Sequence, residues 1–91
     1  MRIEVDQSTN FKKQYNKAPL EIKSAFKKKV EMFIKDEFNP LLKNHQLKGA
    51  LKNFRSINIT GDWRALYLKL EFQNRVVIRF EVLGTHSELY N

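Results

Sequence analysis

The sequence has 91 residues, 42% of them hydrophobic and 12% aromatic, which is enough for one domain with a small core. It has no cysteine, so disulfide frameworks, thiolate zinc sites and thiol nucleophiles are excluded. The formal net charge of +7, from 17 basic and 10 acidic residues, favours a polyanionic partner: nucleic acid first, then an acidic protein or an anionic membrane surface.

The chain begins with an alternating pattern. Ile3 and Val5 are separated by polar residues, which predicts a strand over residues 2–6 rather than the apolar segment of a signal peptide. No apolar run in the sequence reaches the roughly 18 residues that a membrane span requires. We therefore expect a cytoplasmic protein that does not enter a membrane.

Two helices are predicted next, and they resemble an antiparallel hairpin. Ser8 and Thr9 are suitable N-caps for the first helix, at roughly residues 9–17. Pro19 suits the first turn of the second helix, which runs to about Glu37. The apolar stripe of the second helix, at spacings of three and four residues, consists of Ile22, Phe26, Val30, Phe33 and Ile34.

The second half of the sequence predicts a connection followed by three strands. Residues 41–53 are the connection, with room for one helical turn at Leu41–Asn44. The strands, separated by Gly-Asp and Gln-Asn turns, are Phe54–Thr60, Trp63–Leu70 and Val76–Leu83. This order predicts an α+β fold in a single domain over residues 1–91. Its helices pack on one face of a small, mostly antiparallel sheet that includes a three-strand meander.

The polar residues that do not serve the core pattern cluster in three loops at strand ends. Such loops are where a rigid scaffold presents functional groups. The clusters are His45-Gln46-Leu47-Lys48-Gly49, Gly61-Asp62-Trp63-Arg64 and Gly84-Thr85-His86-Ser87-Glu88-Leu89-Tyr90.

Three motifs in these clusters resemble, in order and spacing, the motif set of YafQ-like toxins, a branch of the RelE superfamily. They are His45-x-Leu47-Lys48-Gly49, Gly61-Asp62-Trp63-Arg64-x-x-Tyr67 and Gly84-Thr85-His86-x-x-Leu89-Tyr90. With the helical hairpin, the resemblance covers nearly the whole chain. It implies the RelE-like fold and the toxin of a bacterial type II toxin–antitoxin pair, which cleaves mRNA in the ribosomal A site.

The resemblance also implies the reaction. The RNA 2′-hydroxyl attacks the adjacent phosphorus and leaves a cyclic phosphate and a free 5′-hydroxyl, with no metal and no other cofactor. The sequence agrees with this, since it has two histidines and no compact carboxylate cluster of metal-ligand spacing. No small-molecule ligand is implied.

The reaction needs a base for the 2′-hydroxyl, an acid for the leaving oxygen and positive charge at the phosphorane. His86 resembles the family's C-terminal catalytic histidine and is the candidate general acid; alternatively it is a surface histidine with a loop hydrogen bond. His45 resembles the family's other motif histidine, as base or phosphate ligand, or is a plain connector residue. Asp62 is a candidate second base or histidine-orienting group, and also an ordinary turn residue.

Arg64 is the candidate phosphate clamp, because a guanidinium offers forked donors to phosphate oxygens. Its alternative is a strand-edge arginine paired with Asp62 or Glu81. Tyr90 is expected at the site through its ring or its hydroxyl. The candidate RNA-binding residues are Lys48, Lys52, Trp63 and Arg79, with Trp63 either stacking on a base or serving the core.

Two positions depart from the family's pattern. YafQ-like toxins often carry a histidine four residues before the Asp-Trp pair, where this chain has Asn58. They often carry an arginine four residues before the last-motif histidine, where this chain has Val82. Because Asn58 cannot titrate, the identity of the base stays open and turnover is expected to be lower. Arg64 and Arg79 are candidates to compensate.

The resemblance implies two partners. One is a cognate antitoxin that covers the basic surface, and the other is the ribosome with its mRNA, contacted through the lysine-rich helices. Those lysines alternatively only solvate the surface. Two other functions stay open: inhibition of DNA gyrase, as by ParE-like toxins of the same superfamily, and a catalytically weak homologue that acts mainly by binding its antitoxin. The C-terminal motif belongs with the nuclease branch.

Overall fold

The computed structural model describes residues 2–90, which form a five-stranded sheet with two helices packed on one face. In chain order the elements are β1 (Arg2–Gln7), α1 (Thr9–Lys17), α2 (Leu20–Lys35), β2 (His45–Gln46), β3 (Arg55–Asn58), β4 (Trp63–Glu71), β5 (Arg75–Thr85) and α3 (His86–Tyr90). Short 3-10 turns at Pro40–Leu42 and Gly49–Leu51 lie between α2 and β3. The predicted α+β class is confirmed.

The strand order across the sheet is β1-β5-β4-β3-β2. Strand β1 runs parallel to β5, and the other neighbours are antiparallel, so the predicted meander forms the centre of the sheet. Strand β2 was not predicted, since residues 41–53 were expected to be a connection. A strand of two residues has no alternation that a sequence pattern can reveal.

The core lies between the sheet and the two long helices, and aromatic rings fill much of it. Their centroids lie 5.1 to 6.1 Å apart, in tilted and edge-to-face pairs that stabilise the core beyond simple burial. The rings belong to Phe11, Phe26, Phe33, Tyr67 and Phe80. Ile34, predicted in the stripe of α2, is instead 49% exposed, because it lies about 100° around the helix from Phe33.

A bulge in β5 changes which residues face the helices. Phe80 and Val82 pair with consecutive residues of β4, so Glu81 is the extra residue. Beyond the bulge, Leu83 is buried in the helix-side core, and Val82 projects to the other side. The alternation of Val76, Ile78, Phe80 and Val82 in the sequence predicts one apolar face along the whole strand, and this prediction is wrong beyond Phe80.

Helix α1 attaches at this bulge. The Ser8 hydroxyl accepts the Phe11 N–H at 3.0 Å, which confirms Ser8 as the N-cap, and donates to the Glu81 carbonyl at 3.1 Å. The Gln14 side chain accepts the Leu83 N–H at 2.7 Å. Backbone groups that the bulge removes from the ladder are thus paired with α1.

Two predicted boundaries also shift. Helix α2 ends at Lys35 rather than about Glu37, because Asp36 has extended backbone geometry with φ −158°. Strand β5 continues past Leu83 to Thr85, and a short helix follows it where a loop was predicted. Within residues 2–90, no helix combines the length and the apolar character needed to cross a membrane.

Candidate active site

The sheet has a second face, turned away from α1 and α2. Ser56 of β3 pairs with His45 on one side and Leu66 on the other. Arg64 of β4 pairs with Asn58 and Gly84 in the same way. Cross-strand partners project to the same side of a sheet. The resulting surface, here called the α3 face, consists of His45, Ser56, Asn58, Arg64, Leu66 and Gly84.

Helix α3 folds onto this face because its first turn is capped from both directions. The Thr85 N–H donates to the Glu88 carboxylate at 2.8 Å, and the Glu88 N–H donates to the Thr85 hydroxyl at 3.2 Å. Hydrogen bonds with the backbone and side chain of Thr85 hold the pKa of Glu88 below its usual value. The Thr-x-x-Glu pattern of this cap is visible in the sequence, and it is the signal from which the helix could have been predicted.

The end of α3 packs closely on the α3 face. Gly84 leaves room for Leu89, since a Cβ at position 84 would lie 3.2 Å from the Leu89 Cδ2 atom. The Tyr90 hydroxyl donates to the Ser56 Oγ atom at 3.1 Å, and Ser56 is fully buried. Sequence analysis missed Ser56, because its burial depends on a helix that was not predicted.

His86, the candidate general acid, is exposed at the start of α3. Its backbone N–H donates to the Asp62 carbonyl at 2.9 Å, so the β3–β4 turn holds the helix start. Its imidazole lies against the Tyr90 ring, with centroids 4.6 Å apart and planes at 62°. The structure thus brings His86, Tyr90 and Asp62 together, with Asp62 contributing its backbone rather than its carboxylate.

Arg64 lies at the same turn. Its Nη1 atom is within 3.1 to 3.2 Å of the carbonyl oxygens of Thr60, Gly61 and Trp63. Within residues 2–90 it forms no ion pair, and Glu81, one of its expected partners, instead pairs with Arg79 at 3.1 Å. The Arg64 guanidinium and the start of α3, which carries His86, therefore meet at the β3–β4 turn.

His45, the second candidate histidine, is exposed in β2 and lies directly across from Ser56. Its Nδ1 atom is 2.9 Å from the Lys43 carbonyl oxygen. A carbonyl can only accept, so in the neutral ring Nδ1 carries the proton and Nε2 has the free lone pair. This tautomer leaves Nε2 able to take a proton from a substrate.

A hydrogen-bond network fixes the backbone beside His45. The Asn44 side chain accepts from Arg55 Nε at 2.8 Å and donates to the Tyr67 hydroxyl at 2.7 Å. Tyr67 in turn donates to Glu37 at 2.8 Å. Burial, and then the hydrogen bond to Glu37, raise the pKa of Tyr67 well above its usual value, against the lowering effect of Asn44. Sequence analysis missed Asn44 and left Tyr67 without a role.

The four predicted RNA-binding residues lie in three different places. Trp63 projects to the helix side and packs against the core, which favours its structural interpretation. Arg79 lies roughly 15 Å along β5 from Gly84. Lys48 and Lys52 are exposed at the two ends of the 3-10 turn beside β2.

The two departures from the family's pattern both lie on this side of the sheet. Asn58 is the cross-strand neighbour of Arg64, and Val82 is that of Leu66. A histidine at position 58 and an arginine at position 82 would therefore both project to the α3 face. Of the candidate catalytic residues, His45 and Arg64 project to this face.

Comparison with known proteins identifies the family and the fold of this chain. The family model described as "Bacterial toxin of type II toxin-antitoxin system, YafQ" matches residues 3–91. A comparison with curated protein sequences found no significant match.

Several solved structures share the fold. YafQ from E. coli strain BL21(DE3) is 21% identical over 100% of both chains, with a TM-score of 0.71. The E. coli DinJ–YafQ toxin–antitoxin complex contains a chain that is 21% identical over 100% of both chains, with a TM-score of 0.69. A YoeB/ParE toxin from Agrobacterium tumefaciens is 15% identical over 91% of this chain and 98% of that one, with a TM-score of 0.75. On the family match, which covers residues 3–91, the chain belongs to the YafQ family of bacterial type II toxins.

Proposed function

We propose that this protein inhibits translation by cleaving mRNA in the ribosomal A site. The observation that carries the proposal is the meeting of His86, Tyr90 and Arg64 at the β3–β4 turn. His45 lies on the same face of the sheet. An imidazole and a guanidinium at one corner can supply the acid and the positive charge that RNA cleavage without a metal requires, and a second imidazole on the same face can supply the base.

The chemistry starts when the 2′-hydroxyl of a ribose loses its proton and its oxygen attacks the adjacent phosphorus. The bond from phosphorus to the 5′-oxygen of the next nucleotide breaks, and that oxygen takes up a proton. The products are a 2′,3′-cyclic phosphate and a 5′-hydroxyl. We assign this last protonation to His86, because its imidazole is exposed and is supported by the Tyr90 ring.

His45 is the residue that the geometry best supports as the base. The contact of its Nδ1 with the Lys43 carbonyl leaves Nε2 as the proton acceptor. Asp62 is the second candidate, because its side chain is exposed at the turn that holds His86. Asn58, on the same face, has an amide that cannot take up the proton. Fewer titratable groups are thus available here than in family members with the additional histidine.

Arg64 would stabilise the negative charge that develops on the phosphorane oxygens. Its contacts with the turn carbonyls, as found within residues 2–90, involve Nη1 alone. The donors of Nε and Nη2 therefore remain for phosphate, in the forked geometry that suits two oxygens.

Two macromolecular partners follow from this function. The net charge of +7 suits ribosomal RNA and mRNA, and it equally suits an acidic antitoxin that neutralises the toxin. The E. coli relative is seen in complex with the antitoxin DinJ. We propose a cognate antitoxin for this chain as well, and the cytoplasm as the compartment where both partners are met.

The test uses purified bacterial ribosomes stalled on a defined mRNA. The protein should produce new mRNA 5′ ends within the A-site codon, mapped by primer extension, and these ends should carry a 5′-hydroxyl. His86→Ala should reduce the cleavage rate at least a hundredfold, the usual contribution of one general acid being about 10²- to 10⁴-fold. Arg64→Gln should reduce it as well, and Arg75→Gln, with the same charge change at the far end of β5, should not.

Other outcomes would point elsewhere. Intact mRNA together with inhibited DNA gyrase supercoiling would overturn the nuclease proposal in favour of a ParE-like activity. Intact mRNA with unaffected gyrase, but tight binding to an antitoxin, would overturn it in favour of a homologue that acts through binding. Cleavage by the His86→Ala variant at the wild-type rate would remove His86 from the mechanism.

A further inference from the structure

We propose that Ser56 is a positioning residue for His86, acting through the hydroxyl of Tyr90. The proposal deepens the nuclease function proposed above and rests on it. Its physical basis is a chain of two contacts: the Tyr90 hydroxyl is bound to the buried Ser56 hydroxyl, and the Tyr90 ring lies against the imidazole of His86.

The first step concerns Ser56 itself. Its side chain is fully buried on the α3 face, and its Oγ accepts the Tyr90 hydroxyl at 3.1 Å. A buried hydroxyl needs a hydrogen-bond partner, because water cannot replace one there. Within residues 2–90 the structure assigns that role to Tyr90, so the two side chains depend on each other.

The second step concerns the ring of Tyr90. His86 and Tyr90 lie four residues apart, and so on one side of α3. Their rings are 4.6 Å apart with planes at 62°, an edge-to-face arrangement. Within the described part of the chain the imidazole has no side-chain hydrogen bond. Its orientation therefore depends mainly on where the Tyr90 ring is held.

The third step is that α3 cannot hold this ring without help. A helix of five residues does not persist alone, since nucleation is costly and propagation short. Its first turn is fixed by the Thr85–Glu88 cap and its middle by Leu89 on Gly84. The bond from Tyr90 to Ser56 fixes its last residue. Loss of that bond would free the ring and, with it, the imidazole.

A different role for the tyrosine predicts different results. If the Tyr90 hydroxyl acted directly on RNA, its removal would slow cleavage while the removal of Ser56 Oγ would not. If the hydroxyl is an anchor, both single changes should have the same effect, and the double change should add nothing further.

The experiment is therefore a cycle of Ser56→Ala, Tyr90→Phe and the double variant, measured on ribosomes that carry a defined mRNA. We expect each of the three variants to lower kcat about five- to tenfold, the worth of one hydrogen bond, and to leave KM within about twofold. Tyr15→Phe and Ser24→Ala are the matched controls in the helical hairpin and should leave both parameters unchanged.

NMR of the His86 ring gives a readout that does not depend on activity. In the wild type the Tyr90 ring should shift the His86 Cε1–H resonance, and all three variants should move it by the same amount toward the free-histidine value. If the wild type shows this shift but never cleaves mRNA, the nuclease function fails and the anchor stands. If Ser56→Ala does not fold, Tyr90→Phe tests the same bond from its other end.

Three results would overturn the positioning role. The first is additive effects of the two single changes on kcat. The second is a loss of activity in Tyr90→Phe with wild-type activity in Ser56→Ala. The third is an unchanged His86 resonance in all variants.

Discussion

At the scale of single residues, Glu88 is the group that ties α3 to the end of β5. Its carboxylate accepts the Thr85 N–H, and its pKa is lowered from an ordinary value of 4.5. A lowered pKa means that the folded protein favours the charged form. The stabilisation of α3 is then fully present above the ordinary pKa, and it is lost as the pH falls through the lowered one.

This gives a local pH dependence. The amide proton of Thr85 should titrate in acid with a midpoint below 4.5, because it reports the charge on its acceptor. Glu88→Gln should abolish the titration and keep an oxygen that can accept the hydrogen bond. Glu31→Gln, a change at an exposed position of α2, should leave the titration of the Thr85 amide proton intact. A midpoint at or above 4.5 would contradict the assigned contact.

At the scale of elements, β2 exists because side chains attach it. Asn44 connects it to Tyr67 and Arg55, and Gln46 donates to the carbonyls of Lys52 and Phe54. The pairing of β2 with β3 spans two residues and is too short to hold by backbone bonds alone. The position of His45 therefore depends on the Tyr67 network.

Tyr67→Phe should lower the free energy of unfolding by about 1 to 3 kcal/mol, because it leaves Glu37 and Asn44 without their shared partner. Tyr15→Phe is the matched control, since its hydroxyl makes one long bond of 3.4 Å, and it should cost less. Urea denaturation at neutral pH measures both. An equal loss of unfolding free energy in the two variants would show that the hydrogen bonds of Tyr67 with Glu37 and Asn44 contribute no more than the single bond of Tyr15.

Tyr67 should also make the free energy of unfolding depend on pH in the alkaline range. Its pKa in the folded protein is raised above 10.0, its ordinary value. The stabilisation by Tyr67 is thus complete below pH 10.0 and is lost as the pH rises above it, since the unfolded chain ionises first. The difference in the free energy of unfolding between wild type and Tyr67→Phe should therefore decrease above pH 10.0. A difference that grew with pH would contradict the burial of the neutral phenol.

Sequence patterns predict the long helices and strands here because their apolar residues recur at helical or alternating spacing. They fail for β2 and α3, which have two and five residues and are held by contacts from distant parts of the chain. Only the start of α3 could have been predicted, because its Thr-x-x-Glu capping pattern is local in the sequence. The candidate site shows the same division: the motifs indicate His86 and Arg64 as candidates, whereas Ser56 becomes a candidate only once α3 covers it.

At the scale of the whole molecule, the helical hairpin carries a concentrated positive charge. Within residues 2–90, none of its lysines forms an ion pair with an acidic side chain. These lysines are Lys12, Lys13, Lys17, Lys23, Lys27, Lys28, Lys29 and Lys35. Unpaired cations on one surface suit a phosphate backbone, and binding through them releases counterions.

Binding to ribosomes should therefore weaken steeply with salt. The variant Lys27→Gln/Lys28→Gln should reduce the slope of log K against log salt by roughly 1 to 2, about 0.7 to 0.9 for each phosphate that the protein no longer neutralises. The variant Arg2→Gln/Arg75→Gln removes the same charge at the far sheet edge, where both arginines pair with Glu4. Equal slopes for the two variants would show that the hairpin lysines only solvate the surface.

The parallel pairing of β1 with β5 has a consequence for biosynthesis. The Ser8 hydroxyl reaches the Glu81 carbonyl across 73 residues, and within residues 2–90 the first strand has no other neighbour in the sheet. While β5 is still inside the exit tunnel of the ribosome that makes it, β1 has no strand to pair with, and the Ser8 cap of α1 lacks its partner on β5. High contact order of this kind delays folding. A nascent chain thus completes its sheet only after most of β5 has emerged, and under the proposed function this order of folding would delay activity on the ribosome that makes the chain.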